Sequence, residues 1–103
     1  MSHSFSSRVS IAPDVLFRVV GQEVVLLNLK TQLYLGLDAV GARMWKLLTD
    51  EPSIQAAYEA LLEEYDVESA RLREDLGEFL GKLLAQGLIQ ICGVELALHG
   101  KPQ

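Results

Sequence analysis

The fold is decided by residues Val24–Trp45, VVLLNLKTQLYLGLDAVGARMW. Its first apolar run predicts one strand, Lys30–Gln32 predict a polar turn, and Leu33–Leu37 predict a second strand. Asp38 follows at once and is suited to cap a helix, because its carboxylate can accept a bond from a free first-turn amide. No strand follows directly in sequence to pair with Leu33–Leu37. We therefore predict a free sheet edge there, which is either solvated or paired with a partner chain.

A third strand precedes this stretch. The segment Val15–Val20, VLFRVV, is rich in β-branched residues, and Gly21-Gln22 offers a two-residue hairpin turn into the next strand. All the connections are too short for a parallel crossover, so the three strands are predicted to form an antiparallel meander.

The last strand of the meander has two distinct faces. Side chains alternate along a strand, which places Leu33, Leu35 and Leu37 on one face and Tyr34 and Gly36 on the other. We expect the leucine face to meet the helices.

Three helices are predicted after the meander. The first runs from Asp38 to about Leu48, and the second is capped by Ser53 and continues to about Tyr65. The third spans Ser69–Gln86 and ends at Gly87, a residue suited to a left-handed cap. Its apolar stripe consists of Leu72, Leu76, Phe79, Leu80, Leu83 and Leu84. The predicted class is α+β, a winged helix-turn-helix-like domain with a three-stranded antiparallel meander followed by three helices.

The ends of the chain lack such periodicity. Residues 1–13 are Ser-rich and end in Ala-Pro, which predicts a flexible N-terminal tail. Residues 14–91 form the predicted domain, with Leu88–Ile91 as a short additional strand, and residues 92–103 are predicted to be a flexible C-terminal tail.

Composition favours a small soluble protein. The chain has 103 residues, half of them apolar, and its longest apolar run is much shorter than a membrane span. The single Cys92 cannot form an internal disulfide, which favours a reducing compartment and a cytoplasmic location without membrane association. Between Asp50 and Phe79 there are ten acidic and two basic residues, and this concentration of negative charge repels phosphate.

No catalytic or metal-binding pattern is present in the sequence. His3, His99 and Cys92 do not have the spacing of zinc ligands, and both histidines lie in the predicted tails. There is no glycine-rich phosphate loop and no grouping of nucleophile, base and acid on the predicted rigid elements. We expect a protein without catalytic residues, metal or cofactor.

The sequence resembles the PqqD family, named for its role in pyrroloquinoline quinone (PQQ) biosynthesis. The resemblance is carried by Tyr34-Leu-Gly-Leu37, by Val40-Gly-Ala-Arg-Met-Trp45 and by Gly87-Leu-Ile89, in this order. The helix-three pattern Asp75-Leu-Gly-Glu-Phe-Leu80 is also similar to that family.

The resemblance implies a RiPP recognition element, a non-catalytic module of the pathways that make ribosomally synthesised and post-translationally modified peptides. Such a module would bind the leader of a precursor peptide as an added strand and present it to a modifying enzyme, such as a radical S-adenosylmethionine enzyme or a leader peptidase. The product would be PQQ, a lasso peptide or another class. The implied peptide-binding residues are Leu33, Tyr34, Leu35, Gly36 and Leu37 on the strand, and Arg71, Leu72, Asp75, Leu76 and Phe79 on the third helix.

Two other classes of function compete with peptide binding. A winged-helix DNA-binding regulator would use the third helix, where three basic residues are balanced by three acidic ones, a poor match to phosphate. A dimerising scaffold would pair the free strand edge with a second copy of itself as a homodimer. The charge balance leads us to expect no nucleic-acid partner.

Overall fold

The computed structural model describes residues 5–92, which form five strands and three helices. The elements in chain order are β1 (Arg8–Ile11), β2 (Val15–Val20), β3 (Glu23–Asn28), β4 (Leu33–Leu37), α1 (Ala39–Asp50), α2 (Ile54–Glu64), α3 (Ser69–Ala85) and β5 (Ile89–Cys92). The predicted α+β class and the predicted order of meander and helices are confirmed.

The strands form two separate antiparallel sheets. The larger has the order β2-β3-β4, with Val24 opposite Leu37 and Asn28 opposite Leu33. The smaller pairs β1 with β5, so the predicted additional strand is present but does not extend the meander. Among the described residues, no strand covers the outer edge of β4.

Local sequence signals fix the helix ends. The Asp38 carboxylate accepts a hydrogen bond from the Gly41 amide at 2.9 Å, and the Ser53 hydroxyl accepts one from the Ala56 amide at 3.1 Å. Gly87 ends α3 with a positive φ of 68°, and the Leu88 amide then donates to the Leu83 carbonyl at 2.9 Å. A left-handed residue at this position lets the chain turn back after the helix.

The core lies between the inner face of the larger sheet and the three helices. Its fully buried large side chains include Leu26 from the sheet, Leu48 from α1, Leu61 from α2 and Leu76 from α3. Burial of such side chains is the main stabilising term for a domain of this size.

The N-terminal segment contradicts the prediction of a flexible tail over residues 1–13, within the part that the structure describes. Residues 8–11 form β1, and Val9 is buried with 3% exposure. The Ser7 carbonyl accepts a bond from the Ile54 amide at 2.8 Å, and the Phe5 carbonyl accepts one from the Gln55 amide at 2.7 Å. First-turn amides of a helix have no intrahelical acceptor, so this segment satisfies two of those of α2.

Aromatic stacking adds to these backbone bonds. The Phe5 ring contacts Tyr58 edge-on at 5.7 Å, and the Arg73 guanidinium lies 4.2 Å from the Phe5 ring centroid. The segment therefore contacts both α2 and α3. At the other terminus, Cys92 closes β5, and the rest of the predicted C-terminal tail lies outside the described residues.

We expect Val9→Ala to lower the free energy of unfolding by about 2 kcal/mol, because it removes two buried methyl groups. Urea unfolding followed by circular dichroism measures this loss. The matched control is Arg8→Ala on the exposed side of the same strand, which should change stability by less than about 0.5 kcal/mol. Equal stability of the Val9 variant and the parent would mean that β1 is dispensable to the domain.

Candidate functional site

The candidate site begins at the turn that joins β3 to β4. The Asn28 side-chain oxygen accepts bonds from the Lys30 amide at 2.9 Å and the Thr31 amide at 3.3 Å. Gln32 closes the turn with a φ of 64°, and its amide donates to the Asn28 carbonyl at 2.7 Å. The turn therefore delivers the chain into β4 in a fixed register.

The pairing of β3 determines which backbone groups of β4 are free. The Leu29 amide donates to the Asp14 carbonyl at 2.8 Å, so the backbone groups of Leu29 point towards β2. Backbone groups alternate in direction along a strand, and those of Leu27 therefore also point towards β2. Leu27 lies opposite Tyr34, which therefore receives no ladder bond from β3. The same alternation applies to Gly36 opposite Val25. The amides and carbonyls of Tyr34 and Gly36 point to the open edge.

The side chains of β4 leave this edge accessible. Tyr34 is 74% exposed on the outer face, and a Cβ placed on Gly36 would meet no atom within 4 Å. On the inner face, exposure rises from 6% at Leu37, through a partly buried Leu35, to 60% at Leu33. The prediction that the leucine face meets the helices thus holds at Leu37 and fails at Leu33, which borders an open cleft beside the end of α3.

The predicted residues of α3 divide into two groups. Leu72 and Leu76 are buried in the core, where their side chains hold α3 against the domain, and their contact with a bound peptide stays a prediction. Phe79 is partly buried against the core. Arg71 is exposed and lies 3.5 Å from Asp75, measured between Nε and Oδ2. The apolar period of the helix identifies its buried face without showing how much of that face the core covers.

A cleft of about 550 Å³ lies where β4 begins and α3 ends. Leu33 and Leu84 contribute its apolar lining, and Asn28 and Gly87 also border it. Sequence reasoning missed Asn28, Leu84 and Gly87 as members of this site. The only local signal was a polar asparagine at the end of an otherwise apolar strand.

The opposite edge of the same sheet is also free among the described residues. By the same alternation, the backbone groups of Phe17 and Val19 in β2 point outwards. Phe17 packs edge-on against Trp45 at 5.9 Å, beside a second cleft of about 480 Å³. This edge gives a matched comparison for substitutions in β4.

Two of the basic residues of α3 have partners within the domain. Arg71 pairs with Asp75, and Arg73 stacks on Phe5. Elsewhere, Arg43 of α1 donates to the Glu64 carboxylate of α2, and this hydrogen bond lowers the pKa of Glu64 and raises that of Arg43.

Within residues 5–92, no three His, Cys, Asp or Glu side chains are grouped so as to hold a metal ion. Cys92 is exposed. None of the helices in this range combines the length and apolar character needed to cross a bilayer.

Comparison with known proteins agrees with the fold. The sequence model of the family described as coenzyme PQQ synthesis protein D (PqqD) matches residues 23–89, more than half of the chain. The solved structure of TbiB1 in complex with the TbiA(beta) leader peptide is similar with a TM-score of 0.74 and 33% identity, over 91% of this chain and 99% of that one. A lasso peptide synthetase B1 complexed with the leader peptide has a TM-score of 0.73 and 22% identity, over 81% and 98%. No curated protein matches significantly.

The fold and the free edge define a class: the domain has the fold of RiPP recognition elements, in which a three-stranded sheet precedes three helices. Within that class, the match over residues 23–89 is specific. The chain belongs to the PqqD family, as its sequence elements predicted.

The direction of the β4 amides makes a prediction about stability. Tyr34→Pro should change the free energy of unfolding by less than about 1 kcal/mol, because proline is tolerated where an edge-strand amide faces solvent. Leu35→Pro should cost about 2–4 kcal/mol, because that amide bonds to β3. Thermal and urea unfolding of both variants measure the difference. The reverse order of stabilities would show that the register is shifted by one residue.

Proposed function

We propose that this protein is a non-catalytic recognition element that binds the leader of a ribosomally synthesised precursor peptide and presents it to a modifying enzyme. The observation that carries the proposal is the pair of outward-facing backbone groups at Tyr34 and Gly36, on an exposed strand that begins beside the cleft near the end of α3. The leader would add to β4 as a fourth strand. Its backbone bonds would give affinity, and its inward side chains would give selectivity.

The similarity to TbiB1 supports this proposal. That protein shares 33% identity with the chain over 99% of its own length, and its structure contains a leader peptide. A leader added to β4 would place alternate side chains on the same inner face as Leu33 and Leu35. Leu33 is exposed and Leu35 partly buried, so both have apolar surface to offer. An apolar side chain next to Leu33 would enter the cleft that Leu84 also lines.

The modifying enzyme supplies the chemistry in this proposal. A radical S-adenosylmethionine enzyme and a leader peptidase are the two kinds of partner that we consider. In either case this chain would contribute affinity and orientation, which raise the effective concentration of the precursor at the enzyme.

The direct test is leader binding by edge variants. Tyr34→Pro removes one outward donor and blocks strand addition, so we expect it to weaken leader binding at least tenfold. Tyr34→Ala keeps the amide and should bind within about threefold of the parent, since a backbone bond survives side-chain truncation. Calorimetric titration with the TbiA(beta) leader peptide, and with the leader of any precursor encoded beside this gene, measures the affinities.

The matched control for this test lies on the opposite edge. Val19→Pro removes an outward amide from the same sheet and should leave leader affinity unchanged. Backbone amide shifts of the parent should be largest over Leu33–Leu37 and in the α3 residues that border the added strand. If neither leader binds, or if Val19→Pro weakens binding as much as Tyr34→Pro does, strand addition at β4 is wrong.

Salt dependence separates this function from DNA binding. Two of the three cations of α3, Arg71 and Arg73, already have partners within the domain, which leaves Lys82 as the remaining basic residue of this helix. We expect leader affinity to fall less than about tenfold between 50 and 200 mM salt, whereas several phosphate contacts would cost orders of magnitude. Fluorescence anisotropy with labelled leader and with labelled duplex DNA compares the two. Tight, steeply salt-dependent DNA binding without leader binding would identify a DNA-binding protein instead.

A further inference from the structure

Asn28 joins the two elements that border the proposed leader site. Its side-chain nitrogen donates to the Gln86 carbonyl at 3.0 Å and to the Gly87 carbonyl at 3.4 Å, at the end of α3. Its side-chain oxygen accepts from the Lys30 and Thr31 amides in the turn that leads into β4. One side chain thus connects the start of β4 with the end of α3.

The four bonds use the whole hydrogen-bonding capacity of this side chain. A primary amide has two N–H donors and one oxygen with two lone pairs, and all four positions have partners here. Asn28 is also buried, with 6% exposure. It therefore has no free group to offer to a bound peptide.

The surroundings explain why an asparagine is needed. The last carbonyls of a helix lack intrahelical donors, and Asn28 supplies donors to two carbonyls just beyond the end of α3. Gly87 allows the close approach, because a Cβ at that position would lie 3.1 Å from the Asn28 nitrogen. An apolar side chain of similar size at position 28 would leave the two carbonyls and the two turn amides without these partners.

We propose that Asn28 is a positioning residue for leader binding: it sets the separation of β4 and α3 and thereby the width of the cleft between Leu33 and Leu84. This inference rests on the proposed function, since it concerns the same site. A residue that does not contact the bound leader can still change leader affinity when it holds the two elements that border the site in register.

Asn28→Asp isolates the connection to α3. The introduced carboxylate keeps an acceptor for the turn amides, loses both donors to α3, and places negative charge beside carbonyls at the negative end of the helix. We expect this variant to bind the TbiA(beta) leader, or the leader encoded beside this gene, about tenfold more weakly than the parent. Its free-state amide shifts should change at Gln86, Gly87 and Leu88.

Two control variants separate positioning from loss of stability. Ser53→Ala removes the hydroxyl that accepts from the Ala56 amide at 3.1 Å, and so lowers stability at the start of α2 without touching β4 or α3. Ile54→Val makes a small cavity in the core under α2. Both should bind leader within about twofold of the parent, because a protein that is about 95% folded loses only about 5% of its apparent affinity to unfolding.

The measurements are calorimetric titrations at a temperature where circular dichroism shows every variant to be folded. If Asn28→Asp does not fold, Asn28→Ser, which adds no charge, takes its place. Weakened binding by the Asn28 variant with unchanged controls supports the inference. If the parent binds leader and the folded Asn28 variant binds equally well, the inference is wrong while the proposed function stands; if the parent binds no leader, the proposed function itself fails.

Discussion

The central strand β3 is hydrogen-bonded on both sides, and this constraint governs the rest of the larger sheet. The Leu29 amide bonds to Asp14 beside β2, and the Asn28 carbonyl receives a bond from Gln32 beside β4. Since both backbone groups of one residue point the same way, each outer strand must direct alternate residues outwards. The accessible groups of β4 therefore fall on Tyr34 and Gly36, whatever their side chains are. An edge defined by backbone bonding suits recognition of an extended peptide.

The core beneath the sheet keeps this edge in place. The core fixes the position of α3, because three of its leucines are fully buried: Leu76, Leu80 and Leu83. Asn28 connects the end of α3 to the turn before β4. The proposed leader binding requires these two elements to stay in register.

The sequence predicted the elements well and their contacts less well. Alternation and helical period located β2–β4 and all three helices, because both patterns depend on residues that are close in the chain. The helical period placed Leu72 and Leu76 on the apolar face of α3, but it did not show that the core covers both side chains. β1 was missed, since its partner β5 lies about 80 residues away and its Ser-rich surroundings carry no strand signal.

The sequence by itself therefore determined the α+β class, the meander, the helix caps at Asp38 and Ser53, and the family. Each of these follows from spacing within one segment or from a short motif. Only the tertiary structure decided that Val9 belongs to the core, that Leu33 is exposed while Leu37 is buried, and that Asn28 bonds to the end of α3. The physical reason is that burial and long-range hydrogen bonds depend on which segments meet, and residues 58 positions apart, such as Asn28 and Gln86, have no local pattern that connects them.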